Sequence, residues 1–444
     1  MNILFISLGC DKNLVDSEQM LGLLTQKGFT MTNDETQADV IVINTCCFIH
    51  DAKEESIQNI LEMAEYRKSG RCKALIVTGC LAQRYKQEII DEIEEVDAVV
   101  GTTAYDEIFD VIEKTLNGQK ELEIQDLDRL VQIDAKRVVT TGGHYAHLKI
   151  AEGCNKHCTY CIIPKIRGNY RSVPMENLLK EAQDLAEQGV KELILVAQET
   201  TLYGIDLYGK KSLHILLKKL CEIKGIRWIR VLYCYPEEIY DELIETIRDE
   251  KKICHYLDLP IQHASDRVLK KMGRRTSRAQ LIEIIGKLRK EIPDIALRTT
   301  LISGFPGETQ EDHEELMAFV DEMEFDRLGV FTYSQEEDTP AAMMDEKIDE
   351  EVKNDRQEEL MELQQEVSLD KNEEKIGQSM IAMVEGYLSD ENVYVARTYA
   401  DTPGIDGYLF IDTAETLMSG DFVRVKITGA LEYDLTGELE NEFA

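Results

Sequence analysis

The sequence predicts an α/β protein with three consecutive domains: an N-terminal parallel α/β domain, a central partial barrel of six βα units, and a small antiparallel β-barrel at the C-terminus. Three observations predict this organisation. Short apolar runs alternate with amphipathic stretches over residues 1–135, this alternation starts again over residues 140–372, and residues 374–444 consist of short segments in which β-branched and polar residues alternate. A chain of 444 residues has room for such domains, which typically contain roughly 100 to 200 residues.

In the first domain, three candidate strands are each followed by an amphipathic candidate helix. The strands are residues 3–8, 40–44 and 74–78, and the helices are residues 14–26, 54–66 and 85–93. Such alternation implies a parallel sheet that is covered by helices. Functional residues gather at the carboxyl ends of the strands in sheets of this kind.

Cys10, Cys46 and Cys80 each follow one of these three strands. Because the carboxyl ends of parallel strands meet at one edge of a sheet, we expect the three thiols to converge there, where they could bind a 4Fe–4S cluster. Buried core cysteines are the alternative interpretation, which their equivalent placement disfavours. Cys47, beside Cys46, and Cys72, which precedes its strand, are interpreted as structural.

Six strand candidates, separated by helical stretches, define the central domain from about Gly142 onward. They are residues 147–151, 193–197, 228–233, 255–260, 296–303 and 328–333. Six βα units suit an open partial barrel better than a closed barrel of eight strands. A charged helix, predicted over residues 349–370, connects this barrel to the last domain.

The C-terminal domain, residues 374–444, is predicted to form the small antiparallel barrel. Its strand candidates include residues 380–384, 393–398, 407–411 and 421–427. The domain contains 14 acidic and four basic residues, a net charge of −10. This charge suits a cationic partner and would repel the phosphates of RNA.

Cys154, Cys158 and Cys161 form the pattern C-x-x-x-C-x-x-C just after the first strand of the central domain. Three thiolates on one short loop can bind three irons of a 4Fe–4S cube and leave the fourth iron open for chemistry. A structural zinc site would use four ligands, and a bacterial ferredoxin motif has different gaps and a cysteine followed by proline. The spacing therefore favours a cluster with one open iron.

The overall composition limits the partners and the compartment. The chain has 50 basic and 85 acidic residues, a formal net charge of −35 at pH 7, which argues against a nucleic-acid substrate. An acid excess that only keeps the protein soluble is an equal alternative interpretation. No apolar stretch approaches the roughly 20 residues of a membrane span, and a basic leader is absent, so we expect a soluble cytoplasmic protein. The 11 cysteines are interpreted as ligands and buried thiols rather than disulfides.

The loop of Cys154, with Tyr160 before its last cysteine, resembles the signature of the radical S-adenosylmethionine (SAM) enzymes. With the cysteines of the first domain and a C-terminal barrel similar to a TRAM domain, nearly the whole chain resembles the methylthiotransferases. The branch that modifies small-subunit ribosomal protein twelve is the most similar, as judged by residues 7–18, 197–204 and 328–334.

Two residues depart from the pattern of that family. Asp11 stands where the family usually has proline, and Glu199 stands where it usually has aspartate. Neither residue is a cluster ligand. Glu199 keeps the carboxylate and adds one methylene group, so a polar contact would need only a small adjustment.

The resemblance implies a radical SAM methylthiotransferase with two 4Fe–4S clusters. One SAM would donate a methyl group to a sulfur on the auxiliary cluster, held by the three cysteines of the first domain. Another would be cleaved at the cluster of the central loop, and its radical would take a hydrogen from the β-carbon of an aspartate on the ribosomal protein. Transfer of the methylthio group to that carbon completes the reaction. An electron donor is implied, and its identity is left open.

The family pattern also implies contacts to SAM. Tyr160 would offer backbone contacts to the adenine, and Ile302 and Gly304 resemble the strand motif on the adenine side, where a glycine permits close approach. Polar contacts to the methionyl and ribose groups have weaker candidates, for which substrate contact or salt bridging within the barrel is an equal alternative: Glu199, Gln262 and Arg298.

Two other functions fit parts of the sequence. A tRNA adenosine methylthiotransferase would share both clusters and the barrel, but a tRNA-binding domain is expected to present a basic face, and the one basic patch, residues 270–275, lies in the central domain. A non-catalytic iron–sulfur carrier is disfavoured by the open iron and by a barrel large enough for a cofactor.

Overall fold

Three large sheets follow one another along the chain in the computed structural model, which describes residues 1–131 and 133–440. The first two are open six-stranded sheets, and the third is a closed barrel of five strands. Helices cover the first two sheets, so the chain has the α/β architecture that the sequence predicts.

The first sheet is entirely parallel. Its strands are β1 (Asn2–Ser7), β2 (Thr30–Met31), β3 (Val40–Thr45), β4 (Ala74–Gly79), β5 (Ala98–Val100) and β6 (Glu121–Glu123). Its helices are α1 (Asp11–Gln26), α2 (His50–Ser69), α3 (Cys80–Tyr85), α4 (Gln87–Glu92) and α5 (Ile108–Leu116). The strand order is β2-β1-β3-β4-β5-β6. The three predicted strands are present as β1, β3 and β4, and the sequence pattern does not predict the short strands β2, β5 and β6.

β3 and β4 form the centre of this sheet because both of their faces are buried. Every residue of Val40–Thr45 and of Ala74–Gly79 is buried, as expected for parallel strands with helices on both sides. Ser7 pairs with Asn44, and Asn44 pairs with Thr78. The three strands therefore end level, and the loops with the three predicted cysteine ligands leave the sheet at one edge.

The second sheet is formed by the central part of the chain. The strands there are β7 (Tyr145–Lys149), β8 (Ala151–Glu152), β9 (Arg171–Ser172), β10 (Glu192–Val196), β11 (Trp228–Val231), β12 (Ile253–Asp258), β13 (Ala296–Ser303) and β14 (Arg327–Thr332). β8 and β9 form a separate antiparallel pair, and the other six lie parallel in the order β14-β13-β12-β11-β10-β7. All six predicted strands are confirmed, and the sheet is open, as predicted for a partial barrel.

Helices connect the strands of the second sheet. They are α6 (Ile163–Arg167), α7 (Met175–Glu187), α8 (Ile205–Tyr208), α9 (Leu213–Cys221), α10 (Asp241–Asp249), α11 (Asp266–Lys271), α12 (Arg278–Glu291) and α13 (Gln310–Met323), and α14 (Glu350–Glu373) then leads to the last sheet. Short 3₁₀ turns occupy Glu35–Gln37, Tyr105–Glu107, Pro236–Glu238 and Pro340–Met343. α14 corresponds to the predicted charged helix.

The strands of the second sheet send alternate side chains to its two faces. One face packs against the helices through residues such as Leu193, Leu195 and Leu297. The other face lines the lumen of the partial barrel, where Ile194 and Tyr256 belong to a separate apolar cluster. This alternation follows from the pleat of the strands.

The third sheet is the closed C-terminal barrel. Its strands are β15 (Ser379–Leu388), β16 (Val393–Thr398), β17 (Leu409–Asp412), β18 (Phe422–Ala430) and β19 (Leu435–Leu439), in the closed order β15-β16-β17-β19-β18. The pairs are antiparallel except β17 with β19, which is parallel. The sequence pattern predicts a purely antiparallel barrel because alternation of residues does not report strand direction.

The C-terminal barrel closes the amino-terminal end of the lumen. Trp228 is the first residue of β11, and its ring lies 4.8 Å from the ring of Phe422, centroid to centroid. Met383 and Ala400 pack into the same cluster. Arg230 pairs with Glu192 at 2.9 Å and donates to two backbone carbonyls of the C-terminal barrel. The partial barrel therefore has a floor, and its open end is the carboxyl edge of the strands.

Within the described parts of the chain, none of the helices combines the length and the apolar character that crossing a membrane requires.

Candidate active site

The three cysteines of the first domain are brought to one edge of its sheet. Cys10 directly precedes α1 and is exposed, whereas Cys46, after β3, and Cys80, at the start of α3, are buried. Gly9 has a φ of +86°, and a Cβ at this position would lie 2.8 Å from the Cys46 Sγ. The glycine thus allows the loop of Cys10 to pack against the Cys46 thiol.

Burial and repulsion from neighbouring thiols raise the pKa of two of these cysteines, Cys46 and Cys80. Burial raises the pKa of Cys46, and the neighbouring Cys10 raises it further. Burial also raises the pKa of Cys80, while the guanidinium of Arg167 acts in the opposite direction. A metal ion deprotonates a thiol that it binds, so it would reverse the effect of burial. The three thiols fit the ligand set of an auxiliary cluster in this respect.

Arg167 joins Cys80 to the central barrel through a buried ion cluster. Its Nε donates to Cys80 Sγ at 3.3 Å, and its Nη1 donates to Asp16 at 2.8 Å and to Glu152 at 3.2 Å. Lys149 pairs with the same two carboxylates. Since Glu152 lies just before the second cysteine motif, this ion cluster connects the two regions that carry the predicted cluster ligands.

The second cysteine motif occupies the loop between β8 and α6. Cys154 N donates to Gly168 O at 3.1 Å, and Thr159 N donates to Met272 O at 2.9 Å. The carbonyl of Thr159 accepts from Ala341 N at 2.9 Å. These hydrogen bonds connect the loop to three separate segments of the chain.

Burial also raises the pKa of two thiols of this loop, Cys154 and Cys161. Cys154 and Cys158 are buried and Cys161 is half-buried. Burial raises the pKa of Cys154 to about 11, and repulsion from Cys158 contributes. Burial raises the pKa of Cys161 as well, with further repulsion from the other two thiols. The mutual influence shows that the three sulfurs are neighbours, as the spacing predicts.

The donor set distinguishes a cluster from a single metal ion. Across residues 1–131 and 133–440, no three Cys, His, Asp or Glu side chains are arranged to bind one ion. Ligands of a single zinc ion share one centre at about 2.3 Å from sulfur. In a 4Fe–4S cube each thiolate binds a different iron, so its ligands stand farther apart. Two sets of three neighbouring thiols suit two cubes better than two zinc ions, and their assignment as cluster ligands stays a prediction.

Glu199 is an unusual carboxylate near Cys154. It follows β10, and its side chain is fully buried, with 0 % exposure. One oxygen accepts from the N–H of Thr201 at 2.8 Å and from its hydroxyl, whereas Oε2 has no hydrogen-bond partner among the described residues. Burial raises the pKa of Glu199 to about 7. A buried acceptor without a partner fits a ligand donor, such as the amino group of SAM.

Tyr160, Gln262 and Ile302 are brought together at the carboxyl end of β13. Ile302 N donates to Gln262 O at 2.9 Å. The side chains of Ile302 and Tyr160 pack against one apolar cluster, in which the Tyr160 ring lies 6.4 Å from the ring of Phe305. Gln262 has a φ of +71°, which is rare for residues other than glycine and is typical of functional sites.

Gly304 and Arg298 have close partners within the protein. A Cβ at Gly304, where φ is +68°, would lie 2.2 Å from Lys353 Cγ, so the observed close approach is that of α14. Arg298 Nη1 donates to Asp258 at 2.9 Å, and its Nε lies 3.4 Å from Asp406 of the C-terminal barrel. The contacts of Arg298 with the two aspartates are the salt bridging that the sequence leaves open as an alternative role for this residue. Contact of Gly304 or Arg298 with SAM stays a prediction.

The start of α1 reaches the open end of the lumen. Lys12 is 6 % exposed, and its Nζ lies 3.3 Å from the centroid of the Tyr233 ring. Asp11 accepts from Tyr233 Oη at 3.1 Å and lies 3.5 Å from His147 Nε2. The two residues directly after the first cluster cysteine thus contact the central barrel, and the auxiliary edge and the lumen form one site.

Sequence reasoning assigns no role to Lys12 or Arg167. The sequence does contain a pattern that could identify Lys12 as a functional residue, because Lys12 lies two residues after the candidate ligand Cys10, at the carboxyl end of a predicted strand. Arg167 has none, since its partner Cys80 lies 87 residues away along the chain.

Three family descriptions match successive parts of the chain. Residues 2–101 match the uncharacterized protein family UPF0004, residues 148–320 match the radical SAM superfamily, and residues 376–439 match the TRAM domain. The expected order of a radical SAM barrel followed by a TRAM-like barrel is confirmed.

Three full-length relatives carry the same name. Ribosomal protein uS12 methylthiotransferase RimO of Lachnoclostridium phytofermentans is 64% identical over 440 residues, which covers 99% of this chain and 100% of the relative. The protein of that name from Clostridium botulinum strain Hall is 51% identical, covering 100% of this chain and 99% of the relative. The one from Clostridioides difficile strain 630 is 48% identical and covers 100% of both.

Solved structures share the fold at low sequence identity. The radical S-adenosylmethionine methyltransferase TsrM from Kitasatospora setae, with cobalamin and a [4Fe-4S] cluster bound, superposes with a TM-score of 0.57 at 12% identity, covering 77% of each chain. The cobalamin-dependent S-adenosylmethionine radical enzyme OxsB gives 0.51 at 15% identity, covering 81% of this chain and 56% of that one. The superposed part of the chain thus shares its fold with these two proteins.

Proposed function

Because the chain belongs to the RimO family of ribosomal protein uS12 methylthiotransferases, we propose that it adds a methylthio group to the β-carbon of an aspartate in small-subunit ribosomal protein twelve. It is a radical SAM enzyme, and its cofactors are two 4Fe–4S clusters and SAM. The observation that carries the proposal is the presence of two cysteine triads at one site, joined by Arg167 and Glu152.

The reaction needs cofactors because the β-carbon carries no acidic hydrogen that a side chain could remove. When bound, the clusters and SAM supply a 5′-deoxyadenosyl radical for hydrogen abstraction and a sulfur that is methylated and transferred. For each product, one SAM would yield its methyl group and a second would yield 5′-deoxyadenosine and methionine.

The chain's own residues have two tasks in this proposal. Cys154, Cys158 and Cys161 hold the cluster that cleaves SAM, on a loop whose backbone is fixed by hydrogen bonds to neighbouring segments. The auxiliary cluster is held by Cys10, Cys46 and Cys80.

Contacts to SAM are assigned to groups near the first of these loops. The free oxygen of Glu199 would accept from the amino group, and the backbone around Tyr160 and Ile302 would contact the adenine. Gln262, held in a strained conformation beside Ile302, would contact the ribose or methionyl group.

The proposed macromolecular partner is ribosomal protein twelve, free or on the ribosome, and a reduced electron donor is required. A ribosomal substrate places the activity in the cytoplasm. A tRNA substrate is disfavoured because the C-terminal domain has a net charge of −10.

The direct test is mass spectrometry of purified ribosomal protein twelve after anaerobic incubation with reconstituted enzyme, SAM, a chemical reductant and inorganic sulfide. We expect one peptide to gain the mass of a methylthio group in place of a hydrogen, with fragmentation placing it on an aspartate. A parallel reaction with tRNA should give no modified nucleoside. Modification of the tRNA alone would transfer the proposal to the tRNA function.

The ligand assignments predict that the two cysteine triads are needed for different steps of the reaction. Triple alanine replacement of Cys154, Cys158 and Cys161 should remove one cluster, roughly half of the iron in a protein with two cubes, and abolish 5′-deoxyadenosine formation. The corresponding replacement of the auxiliary triad should remove the other half and stop methylthio transfer while SAM cleavage continues. An auxiliary variant that retained all its iron would contradict the assignment.

A further inference from the structure

Lys12 is the exception among the buried cations of the described chain. Ten lysine and arginine side chains are buried there, and nine of them have a carboxylate oxygen within 4.0 Å. Arg230, for example, pairs with Glu192 at 2.9 Å. Lys12 has no such partner among these residues, although it is only 6 % exposed. A largely buried lysine without a counter-charge is costly, so we expect it to bind an anion that the described residues do not supply.

The adjacent carboxylate does not serve as this anion. Asp11 accepts a hydrogen bond from Tyr233 Oη at 3.1 Å, and its other oxygen faces His147 Nε2 at 3.5 Å. The side chain of Asp11 is therefore directed to two groups of the central barrel. Lys12 is left with the face of an aromatic ring, which attracts a cation but does not neutralise its charge.

The residue whose ring lies beneath Lys12 has a strained backbone. Tyr233 has a φ of +59°. Its N–H donates to Asp258 at 3.0 Å, and its carbonyl accepts from Thr200 N at 3.1 Å. Backbone strain of this kind persists where surrounding contacts enforce it, and it is concentrated in ligand sites. The strain places the ring 3.3 Å from the Lys12 Nζ, at the open end of the lumen.

We propose that Lys12 binds the side-chain carboxylate of the target aspartate and so positions its β-carbon beside the auxiliary cluster. This inference rests on the proposed function. In an aspartate the β-carbon is bonded directly to the carboxylate carbon, so fixing the carboxylate also fixes the reacting carbon. Lys12 is two residues from Cys10, the most exposed of the auxiliary ligands. A carboxylate on Lys12 is therefore held next to the place from which the sulfur is transferred.

The experiment compares two substrates with two forms of the enzyme. The substrates are ribosomal protein twelve with its target aspartate and the same protein with asparagine in its place. The enzymes are the reconstituted parent and Lys12→Met, which keeps the length of the side chain without its charge. Equilibrium binding is measured with SAM and without a reductant, and the ratio of methylthio product to 5′-deoxyadenosine is measured in the full reaction.

The parent should bind the aspartate substrate at least about tenfold more tightly than the asparagine substrate, as expected for a charge-assisted hydrogen bond. Lys12→Met should lose this preference, so that its two Kd values are similar. It should also form less product for each SAM cleaved, because the β-carbon is no longer fixed. Lys12→Arg, which keeps the charge, should restore part of the preference.

Two results would overturn the proposal. One is equal binding of both substrates by the parent enzyme, which needs no variant and is independent of folding. The other is a Lys12→Met enzyme that binds both substrates more weakly than the parent does, and by the same factor. This result is expected if Lys12 only balances the charge of the cluster.

Lys27→Met is the matched control, because the Nζ of Lys27 also lies over an aromatic ring, 4.6 Å from the centroid of the Phe109 ring, at the far end of α1. It should leave the preference unchanged. A parent enzyme that leaves ribosomal protein twelve unmodified would instead refute the proposed function itself.

Discussion

At the scale of single residues, Glu199 makes the free energy of unfolding depend on pH. Burial raises its pKa to about 7 from a usual value of 4.5, so the folded protein binds a proton there more tightly than the unfolded chain does. The contribution of Glu199 to stability is thus fully present below pH 4.5 and is lost as the pH rises through 7. A Glu199→Gln variant does not titrate. Relative to this variant, the parent should lose about 2 kcal/mol of unfolding free energy between pH 5.5 and pH 8.

Urea unfolding of the cluster-free parent and of Glu199→Gln at these two pH values measures the difference in unfolding free energy. Both pH values lie above the pI of the chain, which is about 4.6. Glu245→Gln is the control, because Glu245 is an exposed carboxylate on α10. It should change stability equally at both pH values. Parallel pH profiles for the parent and Glu199→Gln would show that burial does not hold the proton on Glu199.

The sequence predicts which residues are candidates for the site better than it predicts which side chains they contact. The cysteine positions follow from spacing and from the ends of apolar runs, which are local features. Arg298 and Gly304 are identified as candidates by motif, but their observed partners Asp406 and Lys353 come from later segments of the chain. Local patterns do not report which distant side chain fills a given space, and this is why salt bridging stays open for Arg298 until the fold is known.

At the scale of secondary-structure elements, the short helix α6 depends on its last residue. Arg167 is 2 % exposed and holds together Asp16, Glu152 and the thiol of Cys80. Arg167→Met would leave buried carboxylates short of positive charge. We expect it to lower the unfolding free energy of the cluster-free protein by about 3 kcal/mol, as is typical when one partner is removed from a buried pair. Denaturant titration at neutral pH measures this loss.

Arg248→Met provides the comparison, since Arg248 pairs with Asp249 and Glu291 at the surface with 38 % of its side chain exposed. Exposed pairs contribute little, so the change should stay below about 1 kcal/mol. Similar losses for the two variants would mean that the buried cluster adds nothing beyond an ordinary surface pair.

Elements differ in how well their sequences predict them. β3, β4, β10 and β11 contain four to six residues each, all of them buried, and they are found from sequence alone. β2, β5 and β6 contain only two or three residues each, too few to show a period. They are strands because an existing sheet offers them an edge to pair with.

At the scale of the whole molecule, the acidic surface of the C-terminal barrel should steer a basic substrate. Asp412 and Glu438 pair across β17 and β19, and both are exposed. Reversing both to lysine should lower the association rate with ribosomal protein twelve by about three- to tenfold at low salt and much less at high salt. Stopped-flow binding over a salt series tests this, with SAM cleavage in the absence of substrate as the internal reference.

Reversal of Glu245 and Glu283 to lysine changes the net charge equally but on the outer helices of the central barrel. It should slow association less than the change on β17 and β19. Equal effects would indicate that net charge, rather than the acidic surface of the C-terminal barrel, controls the encounter.

The count of acidic residues alone does not define that surface. Asp401 and Asp406 belong to the C-terminal domain, yet their side chains are buried against Arg327 and Arg298 of the central barrel. Asp434 accepts from Tyr408 N at 2.7 Å and so connects two segments that are 26 residues apart. The sequence predicts the sign of the charge on this domain, but only the fold shows which carboxylates face solvent.

The floor of the lumen has a consequence for the order in which the protein is made. Met383, Ala400 and Phe422, which close the floor, are synthesised after every strand of the central barrel. Domains fold as they emerge, at about 5 to 20 residues per second, so the barrel exists for several seconds with its lower end open and with Glu192 lacking Arg397. A growing chain that stalls in this interval would expose the apolar surface of the lumen and the side chain of Glu192 together, so the fold of the central barrel depends on a domain that is made after it.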